Sequence, residues 1–357
     1  MKKFLNRPET YVRESLEGMA MAYPDRVRVS VDPIFAYRAD APLEGKVAVV
    51  SGGGSGHEPT HAGYVGMGML HAACPGEVFV SPSTDQIISA IRKVHGGAGV
   101  LNIVKCYWDD IEVFMRATEW AHTQGIACAN ILIDDDVALK SSVYSHGRRG
   151  TGTTVLAEKI CGAASERWYD LKRLADLCRR VNANGRSVGV GLGPCTVPLR
   201  GVSTFEIGAD EIEFGIGIHG ERGRERLKIS PADELAEMMA LEIIEDPSYT
   251  RSVQEWDATR GEWVDVELTS LSFTSGDHIL AFVNGMGGTP IPELYVIYRK
   301  LAEVCEKKGL TVERQLIGTY ITAVEMQGAS ITLLRLDEEM VSLWDAPVRT
   351  PALRWGI

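Results

Sequence analysis

The chain has no apolar run approaching the ~18 consecutive residues that a membrane-crossing helix needs. Its first residues carry Lys2 and Lys3 but lack the apolar stretch of a secretory signal. No two of its seven cysteines form a C-x-x-C pair, which removes the usual redox motif and the usual zinc spacing. Positive charge is also short: 37 Lys and Arg against 48 Asp and Glu leave a net charge of −11. A surface of that sign argues against nucleic acid or an anionic membrane as the main partner. No heptad array, low-complexity tract or internal repeat is visible. The expectation is a cytoplasmic protein with reduced thiols that works on small molecules.

What is present is glycine, 37 of 357 residues, and a rhythm of short apolar runs alternating with helical patterns. The length has room for two domains at roughly 150 residues each. In the first half, KVAVVS, GVLNIVKCY and ACANILI read as strands. Between them, Ile87, Ile88 and Ile91 sit at helix spacing, and IEVFMRATEWAHTQG reads as another helix. This is the β-α-β alternation of an α/β domain. Turn signals at Asn182–Ser187 reset the pattern, so the expected division is an N-terminal unit over 1–184 and a C-terminal unit over 185–357. Both halves mix types, which predicts two α/β domains with largely parallel or mixed sheets flanked by helices.

The stretch VAVVSGGGSGHEPTHAG, Val47–Gly63, poses the chemical question. Glycines directly after a strand often close backbone N–H groups around an anion. Yet Gly56 is followed by His57 and Glu58, so no Walker lysine is present, and the G-x-G-x-x-G spacing fails from either Gly52 or Gly54. His57–His61 matches H-E-x-x-H in letters. That zinc motif requires an established helix, and here it begins at the loop–helix junction with Pro59 inside it. A loop of free N–H groups capped by an imidazole remains, able to hold a small polyol. A tight turn whose glycines serve packing alone is the competing reading.

Other polar residues stand where ligands collect, at strand ends. Ser81 reads as a helix N-cap followed by Pro82. Lys105 lies in an apolar run, where an ammonium needs a partner. Asp109 and Asp110 follow it, serving as caps or as chemistry, and Asp134–Asp136 read as structural. In EFGIGIHGERG, His219 is expected on a strand, facing the same side as Gly215 and Gly217, with space cleared before its ring.

Taken together, several motifs carry a resemblance. They are SGGGSGHEP (Ser51–Pro59), ACPGE (Ala73–Glu77), Lys105-x-Tyr107-x-x-Asp110, IDDDVA (Ile133–Ala138) and GRRG (Gly147–Gly150). LGPCTVP (Leu192–Pro198), Glu213–Gly223 and the segment Leu343–Trp355 complete the set. In this order the chain resembles the dihydroxyacetone kinase K-subunit family along nearly its whole length. The resemblance implies two α/β domains in a homodimer. It implies a ketone held at Gly54, Ser55, Gly56 and His57, with Ser81, Lys105 and Asp110, and covalent attachment of its C2 carbon to His219 as a hemiaminal. Asp110 and His57 are then the acid/base groups. The family implies no metal or nucleotide on this chain: ADP or ATP with Mg is expected on a separate L subunit, recharged by the phosphotransferase system or by ATP exchange. Cys106 and Trp108 depart from what the family leads one to expect, which leaves a four-carbon ketose such as erythrulose open beside dihydroxyacetone. A non-catalytic ketose-binding regulator is the second reading, and a zinc hydrolase through His57 and His61 the third.

Overall fold

The computed structural model describes residues 2–139, 145 and 147–357. Two six-stranded sheets organise them. The first has the order β1-β2-β4-β3-β5-β6, formed by Val27–Val31 (β1), Ile34–Arg38 (β2), Ala48–Ser55 (β3), Ala72–Val78 (β4), Val100–Lys105 (β5) and Cys128–Ile133 (β6). Strands β4, β3, β5 and β6 run parallel, and β1 and β2 add an antiparallel edge. β3 and β5 are buried along their whole length, as central parallel strands must be, and their apolar residues run without alternation.

The second sheet is built from Gly185–Gly191 (β7), Glu211–Phe214 (β8), Glu225–Lys228 (β9), His278–Gly285 (β12), Thr311–Gly318 (β13) and Gly328–Arg335 (β14). Its order is β13-β12-β14-β7-β8-β9, and only β12 and β13 are parallel. A separate hairpin, Tyr249–Asp257 (β10) with Glu262–Ser270 (β11), packs against β6 of the first sheet. The fold is therefore mixed α/β, as the sequence pattern predicts.

Helices form three layers around these sheets. Thr84–Val94 (α2, after Tyr11–Ala22, α1) and Trp108–Thr123 (α3) cover one face of the first sheet. The apolar positions Ile87, Ala90, Ile91 and Val94 are the i, i+3, i+4, i+7 stripe that such a face requires. Thr153–Glu166 (α4) and Leu171–Asn184 (α5) fill the space between the sheets, in one core that also contains Leu280, Phe282 and Leu334 from the second sheet. α4 is buried on every side, from Thr153 to Ser165, and Gly162 lets the Met69 backbone touch it: a β-carbon there would stand 2.3 Å from Met69 Cα. Ala232–Ile244 (α6) and Ile291–Lys307 (α7) cover the far face of the second sheet. After Glu338–Trp344 (α8) the chain returns to the first sheet, where Arg349 and Ala352 donate to the carbonyls of Met67 and Gly63. No described helix is long and apolar enough to cross a membrane.

The parallel strands all end on the same side. There Gly53–Ser55, Phe79–Ser81 and Lys105–Asp110 gather, and the turn after β8 and the segment after β13 come over from the second sheet to meet them.

Candidate active site

The glycine run differs from the expected loop. Gly52, Gly53, Gly54 and Ser55 are strand residues of β3, in register with Cys74, Pro75, Gly76 and Val78. They pair with β4 instead of forming a loop, while the pairing of β3 with β5 ends at Gly52. Their lack of side chains serves close approach. A β-carbon on Gly53 would lie 2.1 Å from Lys105 Nζ, and one on Gly54 2.8 Å from Phe79 Cα. Gly56, at φ +94°, takes a left-handed conformation that favours glycine, and its N–H is already taken by the Glu58 carboxylate. Ser55 Oγ donates to the Gly76 carbonyl. No α-helix follows: His57–His61 lies in turns, and the two histidines serve different neighbours. Among the described residues no cluster of His, Cys, Asp and Glu is placed to hold a metal ion.

His57 is fully buried. Its Nδ1 lies 2.8 Å from the Thr322 carbonyl, which can only accept, so the ring proton sits on Nδ1 and Nε2 keeps its lone pair. That Nε2 is 3.1 Å from Nε2 of His219. Burial, then the neighbouring His219 and Lys105, push the His57 pKa well below the ordinary imidazole value. Phe79 stacks on one face of the ring at 5.3 Å.

His219 is not on a strand. β8 ends at Phe214, and His219 sits in a turn bracketed by Gly215 and Gly220, both at positive φ. The space over Gly217 is already filled: a β-carbon there would strike the Glu221 carboxylate at 2.0 Å and Arg149 at 2.6 Å. Glu221 holds the turn by accepting from the His219 backbone N–H, and its carboxylate lies 3.7 Å from His219 Nδ1. Burial pushes the Glu221 carboxyl up, but His219 and then Arg149 outweigh it and hold the pKa at about 2. Arg149 is fixed in turn by Asp136 and the Gly215 carbonyl. The rings of Tyr107 and Phe79 meet His219 edge-on at 4.6 and 5.3 Å. The His219 side chain keeps 21% exposure, and this edge opens into a cleft of about 720 Å³.

Gly54, Ser81, Trp108 and Asp110 line the same cleft. Ser81 is not the cap expected of it. Ser83 caps α2, exchanging hydrogen bonds with Gln86, while Ser81 donates to Asp110 Oδ1. Asp110, in the first turn of α3, has its other oxygen 3.7 Å from Lys105 Nζ. Lys105 finds its partners inward: the Gly52 carbonyl at 3.2 Å and His61 Nε2 at 2.7 Å. Asp134, Asp135 and Asp136 are spent on Arg251, on Thr151 with Thr153, and on Arg149 respectively. Cys106 is buried, away from the cleft, and borders a second cavity under the β10–β11 hairpin.

A family model described as the Dak1 domain matches residues 17–352. The chain belongs to the Dak1 family. It is 48% identical over 356 residues to the Escherichia coli "PEP-dependent dihydroxyacetone kinase, dihydroxyacetone-binding subunit DhaK", covering all of both chains. It is 43% identical to a Listeria innocua "PTS-dependent dihydroxyacetone kinase 1, dihydroxyacetone-binding subunit DhaK", covering 99% of this chain and 100% of that one. Among solved structures it is similar to the dihydroxyacetone kinase of C. freundii, with TM-score 0.83 and 30% identity over 98% of this chain, which spans 60% of that enzyme.

Sequence reading missed Phe79, Glu221, Arg149 and Thr322 as parts of this site, and offered His61 only as a zinc ligand. Arg149 and Glu221 lay inside quoted motifs, where charged residues next to glycines were the available signal. Thr322 acts through its carbonyl, which no side-chain pattern announces.

Proposed function

We propose that the chain is the dihydroxyacetone-binding subunit of a glycerone kinase, a phosphotransferase that receives its phosphoryl group from a nucleotide on a separate L subunit. The observation that carries this reading is His219: one edge of its ring opens into the same cleft as Asp110, and Glu221 stands behind the other nitrogen. Kinase relatives support the class of reaction. The proton between the rings leaves His219 Nε2 for His57 Nε2, the lone pair so freed forms a bond to C2 of the ketone, and the carbonyl π electrons move to oxygen, which takes that proton from His57. The ring of the adduct takes a solvent proton from the open cleft on Nδ1, against the ionised Glu221. Glycerol, having no carbonyl, is rejected by the chemistry. Asp110 then accepts the proton of a primary hydroxyl as that oxygen attacks phosphorus, with His57 Nε2 available as a second acceptor.

Two narrower readings have support of their own. A relative entitled L-erythrulose kinase is 36% identical, though this chain spans 57% of it, which keeps a four-carbon ketose in view. A solved structure entitled "Dihydroxyacetone kinase operon co-activator Dha-DhaQ" matches with TM-score 0.80 at 30% identity, covering 95% of this chain and 96% of that one. It supports a regulatory ketone binder as the second reading. The test is carbon NMR with ketone labelled at C2, alone and with an L subunit and nucleotide. Conversion of the carbonyl signal to a tetrahedral carbon, followed by phosphate ester, is the expected result. A carbonyl signal that never changes refutes the covalent role. A tetrahedral carbon with no ester formed in the complex favours the regulator. Saturable nucleotide binding to this chain alone would refute the division of labour between subunits.

A further inference from the structure

Behind the proposed base lies a line of buried polar groups that the ketone chemistry above does not use. It begins at Glu158, in the middle of α4, and passes through His61 to Lys105 and Asp110. Glu158 and Lys105 are completely buried, and His61 and Asp110 are nearly so. Glu158 Oε1 contacts His61 Nδ1, His61 Nε2 contacts Lys105 Nζ at 2.7 Å, and Lys105 Nζ stands 3.7 Å from Asp110 Oδ2.

The proton positions along this line follow from the partners. Ser51 Oγ, also beside His61 Nδ1, gives its own proton to the Ile103 carbonyl at 2.7 Å. Nδ1 therefore carries the ring proton and donates it to Glu158. Nε2 keeps its lone pair and accepts from Lys105. An ammonium has three N–H bonds. The Gly52 carbonyl takes one and His61 takes another, which leaves the third for the side on which Asp110 lies.

We propose that His61 and Glu158 are positioning residues for Lys105: they hold its ammonium against the glycine strand and aim it at Asp110. The proposal rests on the ketone-kinase reading for the role of Asp110, and on geometry alone for the rest. Two physical points support it. A buried ammonium needs more than one distant carboxylate, and an imidazole whose Nδ1–H is held by Glu158 presents it with a further acceptor. The opposing force is visible at both ends, since burial pushes the Glu158 carboxyl up to about 8 and Lys105 down from its ordinary amine value. Gly53 fits the same logic, because any side chain there would displace Lys105. The charged and titratable groups that bear on this line are Asp110 from α3, Glu158 from α4, and His57, His61 and Tyr64 from the turns after β3.

The test uses the full chain with its L subunit and compares Glu158→Leu, His61→Gln and His61→Leu with the wild type. Losing the hold of Glu158 on His61 loosens Lys105 and withdraws its cation from Asp110, and a carboxylate that loses a nearby cation is easier to protonate. Glu158→Leu should therefore lower kcat about tenfold with a smaller change in KM, and move the acid limb of kcat/KM upward by up to about one pH unit. His61→Gln keeps an acceptor within reach of Lys105 and should retain several-fold more activity than His61→Leu. Nitrogen NMR of the wild-type imidazole should show Nδ1 protonated and Nε2 bare, whatever the substrate proves to be. An unmoved acid limb, equal activity of the two His61 variants, or a ring protonated on Nε2 would each overturn the proposal. A wild-type complex that fails to phosphorylate any ketone would instead overturn the functional reading, and the imidazole spectrum would still decide the geometry.

Discussion

Nε2 of His57 and Nε2 of His219 face each other at 3.1 Å, one at the end of the glycine strand and the other in a turn of the opposite sheet. The Thr322 carbonyl claims the His57 Nδ1 proton, so the proton between the rings belongs to His219. A ketone that bonds to His219 Nε2 must displace this contact. The proton has to leave Nε2, and Glu221 stands 3.7 Å from Nδ1, where the protonated nitrogen of the adduct will be.

His219→Ala is expected to weaken dihydroxyacetone binding by roughly 10²-fold, about 2.7 kcal/mol, since a three-carbon polyol offers few other contacts. Glu221→Gln keeps the shape but not the charge and should weaken binding less, by about tenfold. Calorimetry on both variants checks this. Unchanged affinity in His219→Ala would exclude the covalent role.

Asp110 and Ser81 separate chemistry from support. Asp110→Asn should reduce turnover by a factor on the order of 10²–10⁴, with ketone binding largely kept. Ser81→Ala removes only the hydrogen bond to Asp110 Oδ1 and should cost about tenfold, in keeping with one hydrogen bond to a charged group. Single-turnover kinetics with the phosphorylated donor gives both values. Near-normal turnover in Asp110→Asn together with loss in Asp109→Asn would move the base to Asp109.

Three buried histidines predict an acid-sensitive fold. Burial is the main cause of the shift in each: His57 and His61 are well below the ordinary imidazole value and His71 is at about 3. Above about pH 6.5 both folded and unfolded chains carry these rings neutral, and the contribution to stability is complete. As pH falls below that value the unfolded chain binds protons that the folded chain refuses. Stability then drops by up to about 1.4 kcal/mol per pH unit for each histidine. Glu158, raised to about 8, acts in the opposite direction, losing stability as pH rises from the ordinary carboxyl range, and the carboxyls of Glu58, Asp134 and Asp136, also raised by burial, act with it at lower pH. Urea denaturation between about pH 7.5 and 5.5 should show the decline. His71→Asn should make it shallower. Equal slopes in the two proteins would contradict the assignment for His71.

Much of the architecture was legible because the strands that matter are parallel and buried. β3, β5 and β6 were read from unbroken apolar runs, and α2 from its isoleucine spacing. The β10–β11 hairpin was invisible because its strands are rich in charge and half exposed, with no apolar face to announce them. The identities of His219, Asp110, His57 and Lys105 came from motif order, but their settings did not. A glycine run reads the same whether it is a loop or a strand crossing close to its neighbours. Only tertiary contact with Cys74, Phe79 and Lys105 distinguishes the two. His219 was misplaced on a strand for a related reason: alternating Gly and Ile imitate strand periodicity, while the chain there turns around the Glu221 carboxylate.

Trp108 departs from the expected family pattern, and its position makes two roles separable. It opens α3, is 49% exposed, and lines the cleft shared by Asp110 and His219. It also borders the second cavity, beneath the hairpin. An exposed indole on the rim of a cleft either bounds the substrate or meets the subunit that brings the phosphoryl group, and tryptophan is enriched where partners dock. The residue lies three positions after Lys105 and two before Asp110, and it shares with Asp110 the lining of the cleft. Trp108→Gly is therefore expected to shift the ratio of kcat/KM for erythrulose over dihydroxyacetone upward by about tenfold, the effect of opening one end of an apolar pocket. Affinity for the L subunit, measured by calorimetry on the same variant, should stay within about twofold. A weakened complex with an unchanged substrate ratio would assign the indole to the subunit interface. No change in either constant would mean that Trp108 does no more than begin its helix.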